Sequence, residues 1–488
     1  MISGAGDIAL QGVVGDVTTL SGLSINATDG DDGDIEITDI GDGTPAAGVT
    51  GAVSIGNANT ASLTLDGTRY NTDGTTIYEA VAGSGSIKLT GANVSITTDN
   101  DALTFDAGNI VLSTAGTTTI GTGGGALQID GTIDGTSSQA ENLTITTGAG
   151  SLTIGGTIGG TNPLTTLSIA GSGAGAIDLA GIGDSDTAGA TGTTTVGNTT
   201  TTTLTLSGTI YKTDDSQTYV AKTGQNIDIT DAATFTTTND AVAFNTAGVD
   251  LINGNAGGAH TITVDTGTGA GAVTFGGAIE SDGGDDETLT ITSGTGTVTF
   301  TGALGATQEL GGLNVNASSG NGIITFTGAI GDTNAPQAGV IGTSNIGNTA
   351  TTRIDLDGGL YSFDGTTTFE TTSGETVAVG ATVTVENTAN SLSFSGGDIN
   401  LDDGANLTVS TNGGAITVNG IYGVSSETVS INANHSGGDG SSTAETVNIT
   451  GNIGNADEIL SVAVTGRDGI TLTGGGSGIT IDLSLIHI

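Results

Sequence analysis

The acidic cluster "DGDDGDIE" at residues 29–36 is the part of the chain whose residue types and spacing could bind a metal ion. Asp29, Asp31 and Asp34 lie on a glycine-rich stretch, and carboxylate oxygens are the ligands that calcium prefers. The spacing matches neither the EF-hand loop nor the glycine-rich nonapeptide of calcium-binding β-rolls. A solvated acidic loop is therefore the first interpretation and a calcium site is the alternative. No other cofactor is expected.

Acid–base catalysis is the next chemistry to consider, because the chain is rich in carboxylates. Two carboxylates can cleave a glycosidic bond, and proton abstraction by a lyase needs a basic group near the acids. The basic residues do not cluster near the aspartates, and the turn-like contexts of His260 and His435 favour solvated side chains. We therefore predict no catalytic residues and no enzyme activity, with a polysaccharide lyase or hydrolase as the alternative. The basic residues are Arg69, Lys88, Lys212, Lys222, Arg353 and Arg467.

The charge balance excludes several classes of partner. Six basic residues stand against 51 acidic ones, which gives a formal net charge of −45. Such a chain cannot neutralise phosphates, so nucleic acid is excluded as a partner, and anionic membrane surfaces would repel it. No stretch approaches the roughly 20 apolar residues that cross a bilayer, so no membrane insertion is expected.

Period-two patterns predict that the elements carrying these residues are β-strands. The segments "LTIT" at 143–146 and "HTITVD" at 260–265 alternate apolar with polar residues, as half-buried strands do. Threonine, valine and isoleucine favour strands, and Gly, Asn, Asp and Ser separate the segments as turns require. Aromatic residues make up 3% of the chain, and Trp is absent. We therefore predict an all-β fold with a core of small aliphatic side chains.

A long tandem repeat organises the chain. The phrase "GVVGDVTTLSGLSI" at 12–25 returns at 156–169, 302–315 and 451–464, with glycine three positions on and aliphatic residues eight, eleven and thirteen positions on. A second phrase, "LTLSGTIY" at 204–211, has near-copies at 63–70 and 354–361. Its final residues, Tyr70, Tyr211 and Tyr361, either pack over a corner of the fold or form an exposed contact for sugars.

This pattern favours a right-handed parallel β-solenoid with about three strands per coil and roughly 15–17 coils, and an array of β-sandwich domains is the alternative. Leu204 and Leu206 should point inward, with Gly208 at a corner. Residues 1–482 should form one continuous solenoid, with repeats 12–155, 156–301 and 302–450 and a partial repeat 451–482. The segment "LSLIHI" at 483–488 departs in composition and is interpreted as a sequencing-adaptor scar on a fragment of a longer chain.

The segments "GGDINLDDGANLTVSTNGGAITVNG" at 396–420 and "DAGNIVLSTAG" at 106–116 resemble the repeats of large bacterial exoproteins. These are the filamentous-haemagglutinin-like adhesins and the passenger domains of autotransporters. The resemblance implies an extracellular or cell-surface β-helix that serves in attachment or in a surface layer. The implied partners are cell-surface glycans or proteins, or further copies of the same chain through self-association.

Overall fold

The structure is a computed structural model. It describes fourteen segments of the chain, namely residues 2–3, 6–27, 33–41, 47–169, 175–245, 247–252, 260–282, 287–316, 322–332, 338–388, 390–424, 426–433, 445–454 and 459–473. The interpretation of 483–488 as a scar concerns residues outside these segments.

The described segments contain β-strands and no helix. The first half of the strands are β1 (Ile2–Ser3), β2 (Ile8–Val14), β3 (Leu23–Ala27), β4 (Gly33–Ile40), β5 (Val53–Gly56), β6 (Thr60–Leu65), β7 (Arg69–Thr72), β8 (Thr76–Glu79), β9 (Ser86–Leu89), β10 (Ser95–Thr98), β11 (Leu103–Asp106), β12 (Asn109–Leu112), β13 (Gly116–Thr122), β14 (Leu127–Ile129), β15 (Ile133–Asp134), β16 (Glu141–Thr146), β17 (Leu152–Ile154), β18 (Thr166–Ile169), β19 (Ile177–Leu179), β20 (Thr194–Gly197), β21 (Leu204–Leu206), β22 (Ile210–Lys212), β23 (Gln217–Val220), β24 (Asn226–Ile229) and β25 (Thr234–Thr236). The others are β26 (Val242–Asn245), β27 (Gly248–Leu251), β28 (Thr261–Asp265), β29 (Val273–Phe275), β30 (Ile279–Ser281), β31 (Thr288–Thr292), β32 (Val298–Phe300), β33 (Gly312–Asn316), β34 (Ile323–Phe326), β35 (Ser344–Gly347), β36 (Arg353–Leu356), β37 (Leu360–Phe363), β38 (Thr367–Glu370), β39 (Thr376–Val379), β40 (Val383–Asn387), β41 (Leu392–Ser395), β42 (Asp398–Leu401), β43 (Leu407–Thr411), β44 (Ile416–Val418), β45 (Ile421–Tyr422), β46 (Thr428–Ala433), β47 (Thr446–Ile449), β48 (Ser461–Gly466) and β49 (Gly469–Leu472).

Parallel pairing makes the chain a β-solenoid of about 16 turns. Each strand typically pairs with the strand three places earlier, as β8, β9 and β10 do with β5, β6 and β7. Three strands therefore complete a turn, and successive turns stack at about 4.8 Å. The predicted solenoid is confirmed, and the β-sandwich alternative is wrong because sandwiches are built from antiparallel strands. Its right-handed winding stays a prediction.

Contacts between Cα atoms divide the chain into two units. The first unit is Met1–Thr237 with Asn245–Ala247, and the second is Thr238–Phe244 with Gly248–Ile488. Both units are built from stacked parallel ladders on three faces. The repeat boundaries stay predictions.

The strand pattern places the aliphatic residues inside, as predicted. Leu204 and Leu206 of β21 are buried, Thr205 between them is half-buried, and Ser207 is exposed. Because successive side chains of a strand point to opposite faces, alternation in the sequence becomes a dry interior and a wet exterior. Gly208 follows at the corner. A Cβ there would lie 1.7 Å from the carbonyl oxygen of Ala180 in the preceding turn, which explains the glycine.

Aromatic residues contribute more to the core than the sequence predicted. All nine phenylalanines of the chain are buried. In the second unit Phe244, Phe275, Phe300 and Phe326 occupy one register position in successive turns, and their ring centroids are 5.0, 5.5 and 4.7 Å apart with nearly parallel planes. The spacing of stacked turns suits offset ring stacking, so a few aromatics fill the interior efficiently. The expected core of small aliphatics alone was wrong.

The long repeat does not return to the same face of the solenoid. In the first unit, six successive pairings lead from Val14 to Ile169 of β18. Ile158, which replaces Val14 in the next copy of the phrase, lies one strand position before β18. In the second unit, six pairings lead from Leu304 to Val464 of β48, and its counterpart Ile453 again lies one strand position earlier. One repeat is therefore five and two-thirds turns within each unit, and the second and fourth copies of the phrase each lie one face earlier than the copy before them.

Candidate functional site

In its first three copies, the repeated phrase marks the places where the chain leaves the stacked strands as an exposed loop. Its second glycine has a left-handed backbone conformation in all four copies, with φ of 75° at Gly15, 68° at Gly159, 60° at Gly305 and 69° at Gly454. Glycine adopts this conformation without the steric cost that a Cβ imposes. The aliphatic residue eight positions into the phrase pairs into the stack again in the first three copies, as Leu164 does with Ala190. The glycine of the phrase thus marks where the loop begins, and the aliphatic residue marks where the chain rejoins the stacked strands.

A second loop in the following turn stacks on each of the first three outward loops. A Cβ on Gly159 would lie 2.1 Å from the carbonyl oxygen of Gly189 in that second loop. The corresponding distances are 2.0 Å from Gly15 to the oxygen of Gly48 and 2.0 Å from Gly305 to that of Gly339. We call residues 15–19 with 41 and 47–48, 159–163 with 183–189, and 305–309 with 331–332 and 338–339 the loop pairs.

Carboxylate side chains of the preceding turn hold the first loop of the second and third loop pairs. Asp134 accepts hydrogen bonds from the backbone N–H groups of Thr161 and Asn162 at 2.8 and 3.2 Å. Glu280 does the same for Thr307 and Gln308 at 3.0 and 2.9 Å. Such charge-assisted bonds fix the loop backbone and leave the loop side chains free to vary.

Asp184 stabilises the second loop of the middle pair from within. Its carboxylate accepts hydrogen bonds from the backbone of Thr187 at 2.6 Å and Asp186 at 2.8 Å, which lower the pKa of Asp184 below its normal value. Lys212 donates from Nζ to the carbonyl oxygen of Ser185 at 2.9 Å. Polar groups of the loop and of Lys212 therefore hold its exposed residues, while Gly183, Ala188 and Gly189 are buried.

A polar groove of about 510 Å³ runs beside the first loop pair. Among the described residues, hydroxyl, amide and carboxylate groups and the methyl group of Ala47 line it, and no Lys, Arg or His does. Such a lining can hydrogen-bond a hydroxyl-rich ligand, and it lacks the neighbouring base that a lyase uses. The lining residues are Thr19, Ala47, Thr50, Asn71, Asp73, Thr97, Thr98 and Asp99.

A smaller groove of about 230 Å³ lies in the second unit and has the same chemistry. One carboxylate, three amides and three hydroxyl groups line it, again without a basic side chain. These residues are Glu386, Asn387, Thr388, Ser410, Thr411, Asn412 and Asn432.

The structure reaches one of the three calcium candidates. Asp29 and Asp31 lie outside the described residues, whereas Asp34 is part of β4 and its backbone N–H donates to the carboxylate of Asp7 at 3.2 Å. Within the described segments, no group of three or more His, Asp or Glu is arranged to hold a metal ion. Calcium binding stays a prediction.

The three recurring tyrosines are structural. Tyr70, Tyr211 and Tyr361 are fully buried, so the interpretation as an exposed sugar contact was wrong and packing at a corner is what the structure shows. The hydroxyl group of Tyr211 accepts a hydrogen bond from the backbone N–H of Gly208 at 2.9 Å and donates to the carbonyl oxygen of Leu179 at 2.7 Å. Burial raises the pKa of all three phenols, which keeps them neutral.

Buried glutamates are a feature that the sequence reasoning missed. Glu141 is 1% exposed, and its carboxylate accepts hydrogen bonds from Thr136, Ser138 and the backbone of Ala140 at 2.5–3.3 Å. Burial alone would raise the pKa of Glu141, but these hydrogen bonds outweigh it and lower the pKa. The pKa of the buried Glu427 is lowered by the same balance of causes. The signal was present in the similar segments "ENLTIT" at 141–146 and "ETVSIN" at 427–432.

Glu287 occupies the equivalent place in the segment "ETLTIT" at 287–292 but has different partners. It is fully buried, accepts a hydrogen bond from the hydroxyl group of Ser281, and lies with Oε1 3.8 Å from Nδ1 of His260. His260 was expected to be a solvated turn residue, and its side chain is 11% exposed.

Two of the basic residues contact acids. Arg353 contacts the carboxylate of Asp355, and Arg467 lies 3.5 Å from that of Glu445.

The described part of the chain contains no helix that is both long and apolar enough to span a membrane.

Comparison with known proteins leaves the chain without an assigned family. No family model, no curated protein and no solved structure matches it.

Proposed function

We propose that this chain is part of a secreted bacterial exoprotein that presents loops and polar faces for attachment to cells or for building a surface layer. The observation that carries the proposal is the recurrence of the loop pairs. Each copy retains the glycines that shape the backbone, whereas the loop sequences differ: "GDVTT" at 15–19, "GGTNP" at 159–163 and "GATQE" at 305–309. A regular scaffold with variable exposed loops is typical of binding surfaces.

The scaffold suits display for a second reason. The stacked turns are held by continuous backbone pairing and a dry interior, so the exposed side chains are not needed for folding. Several separate loop pairs on one chain also allow weak contacts to act together, which raises the overall affinity without new contacts. The net charge of −45 favours solubility outside the cell and disfavours anionic partners.

A cell-adhesion assay tests this proposal. Beads coated with the full chain are expected to bind bacterial or host cells more strongly than uncoated beads. A variant with Val17→Ser, Thr161→Ala and Thr307→Ala changes exposed loop side chains and should reduce adhesion. A matched control with Thr104→Ala, Thr153→Ala and Thr299→Ala changes three outward strand residues away from the loop pairs and should reduce adhesion less.

The same protein preparation tests the enzymatic alternative. Incubation with neutral and acidic polysaccharides is expected to release no reducing ends and no unsaturated products. Turnover of a polysaccharide, or adhesion equal to that of uncoated beads, would contradict the proposal.

A further inference from the structure

One face of the second unit carries a long uncharged ladder of hydrogen-bonding side chains. At the centre of this face, nine residues from successive turns are joined by direct parallel pairing. All nine are Thr, Ser or Asn, and all are partly or fully exposed. We call them the neutral ladder: Thr263, Thr290, Asn314, Asn345, Thr368, Ser393, Thr417, Asn448 and Thr471.

In a chain that carries 51 acidic residues, the absence of charge along this ladder contrasts with the outward rows on the other two faces of the second unit. On another face of the same unit, Asp250 pairs with Glu280. On the third face, the outward ladder through Thr274 and Thr299 reaches Asp355 after two further turns. The neutral ladder crosses nine turns without an acid, although Asp265 and Glu370 lie in the row beside it.

The polar groups of the ladder are largely available to a ligand. Nδ2 of Asn345 donates to Oδ1 of Asn314 at 2.9 Å. In the described part of the chain, the hydroxyl groups of Thr290, Thr368 and Ser393 have no hydrogen-bond partner in the protein. Oδ1 of Asn448 is buried from solvent and lacks a partner, so it does not belong to the surface that a ligand would contact.

We infer that the neutral ladder binds an uncharged polysaccharide, an inference that rests on the proposed function and specifies its ligand class. Hydroxyl and amide groups both donate and accept hydrogen bonds, which complements the hydroxyl groups of a neutral sugar. Their recurrence at about 4.8 Å over nine turns suits a polymer with repeating hydroxyl groups better than a small molecule.

Charge separates this ligand from its competitors. An anionic glycan, or a second copy of a chain with a net charge of −45, is repelled by the molecule as a whole. A cationic peptide would be attracted to the acidic faces rather than to the neutral ladder. A neutral polysaccharide is not repelled by the net charge and can form hydrogen bonds with the ladder.

Co-sedimentation with insoluble polysaccharides tests the inference. The full chain is expected to sediment with cellulose, chitin or mannan particles and not with alginate gel. Binding should persist at about 1 M salt, where surface charges are screened. A Thr263→Glu/Thr290→Glu variant places two carboxylates in adjacent turns of the ladder and should weaken binding by about tenfold.

The matched control is Thr274→Glu/Thr299→Glu, which makes the same change in two adjacent turns on another face of the same unit. It should bind as the unchanged chain does, and circular dichroism should show both variants folded. The inference would be overturned if both variants lost polysaccharide binding equally or if neither lost it. It would also be overturned if the chain bound only alginate, or if Thr263→Glu/Thr290→Glu changed self-association alone. Adhesion to cells without polysaccharide binding would overturn this inference and leave the proposed function standing, whereas polysaccharide binding without cell adhesion would do the reverse.

Discussion

Three glycines of the first unit separate the two reasons why this fold needs glycine. Gly83 has φ of 74° and open space where a Cβ would be. Gly208 has no left-handed φ, but its Cβ would lie 1.7 Å from the carbonyl oxygen of Ala180. Gly159 combines both constraints, with φ of 68° and a Cβ position 2.1 Å from the oxygen of Gly189. Alanine at Gly83 therefore tests the cost of the left-handed conformation, and alanine at Gly208 tests the cost of the steric overlap. Alanine at Gly159 tests both costs together.

The expected losses of local stability follow from these geometries. Gly83→Ala should cost about 1–2 kcal/mol, which is the price of a left-handed conformation for an L-residue. Gly208→Ala should cost about 1–3 kcal/mol or more, because backbone atoms of two stacked turns must separate. Gly159→Ala carries both costs and should lose about 2–5 kcal/mol. Gly160→Ala is the matched control, since the nearest atom to its Cβ is a side-chain oxygen of Thr157 at 2.9 Å.

Hydrogen exchange is the suitable measurement, because a long repeat array need not unfold in one global transition. The backbone N–H of Ile158 donates to the carbonyl oxygen of Gly181 at 3.1 Å, and that of Gly159 donates to Ile133 at 2.7 Å. Both amides should exchange much faster in Gly159→Ala than in Gly160→Ala. If the two variants exchange alike, the close approach of the stacked loops is not a determinant of stability and the reasoning is refuted.

Further predictions concern the interior of the fold and its response to divalent cations. Tyr211→Phe leaves the N–H of Gly208 without its partner and should cost about 1–3 kcal/mol by local hydrogen exchange; no change would show that water replaces the hydroxyl group. Phe300→Ala removes the centre of a ring stack and should lower the free energy of local unfolding by about 3–5 kcal/mol. Unchanged amide hydrogen exchange in Phe300→Tyr would indicate a more loosely packed interior. Because the pKa values of Glu141 and Glu427 are lowered in the folded state, their contribution to stability is complete above about pH 5 and is lost as the pH falls through the folded-state pKa. The melting temperature should therefore fall between about pH 7 and pH 3. In Glu141→Gln the melting temperature should depend less on pH. Calcium and magnesium at equal concentration should raise the melting temperature equally by screening the charge of −45, and a larger rise with calcium would indicate an ordered calcium site.

The strands, their inward faces and the outline of the solenoid could be predicted because each depends on local pattern. Alternation within "LTLSG" is enough to place Leu204 and Leu206 inside, whatever lies above and below them. The repeated glycine of the long phrase was also visible, and Gly15 and Gly159 do have left-handed φ values. Its purpose was not visible, since the outward loops are defined by the stacking of one turn on the next.

Features that depend on the register between turns could not be predicted. Whether Tyr211 faces water or the interior is decided by the corner at Gly208, which lies over the preceding turn. Phe275 and Phe300 are 25 residues apart and meet only because a turn has that length there. Asp29 and Asp31 lie outside the described residues, so the most metal-like segment of the sequence stays a prediction.

The advance of five and two-thirds turns per repeat has a consequence for how such a chain can change length. Within a unit, gain or loss of one whole repeat would move each following loop to the neighbouring face of the turn, and only steps of three repeats would return it to the same face. Variation in repeat number would therefore change which face of the solenoid carries a given loop.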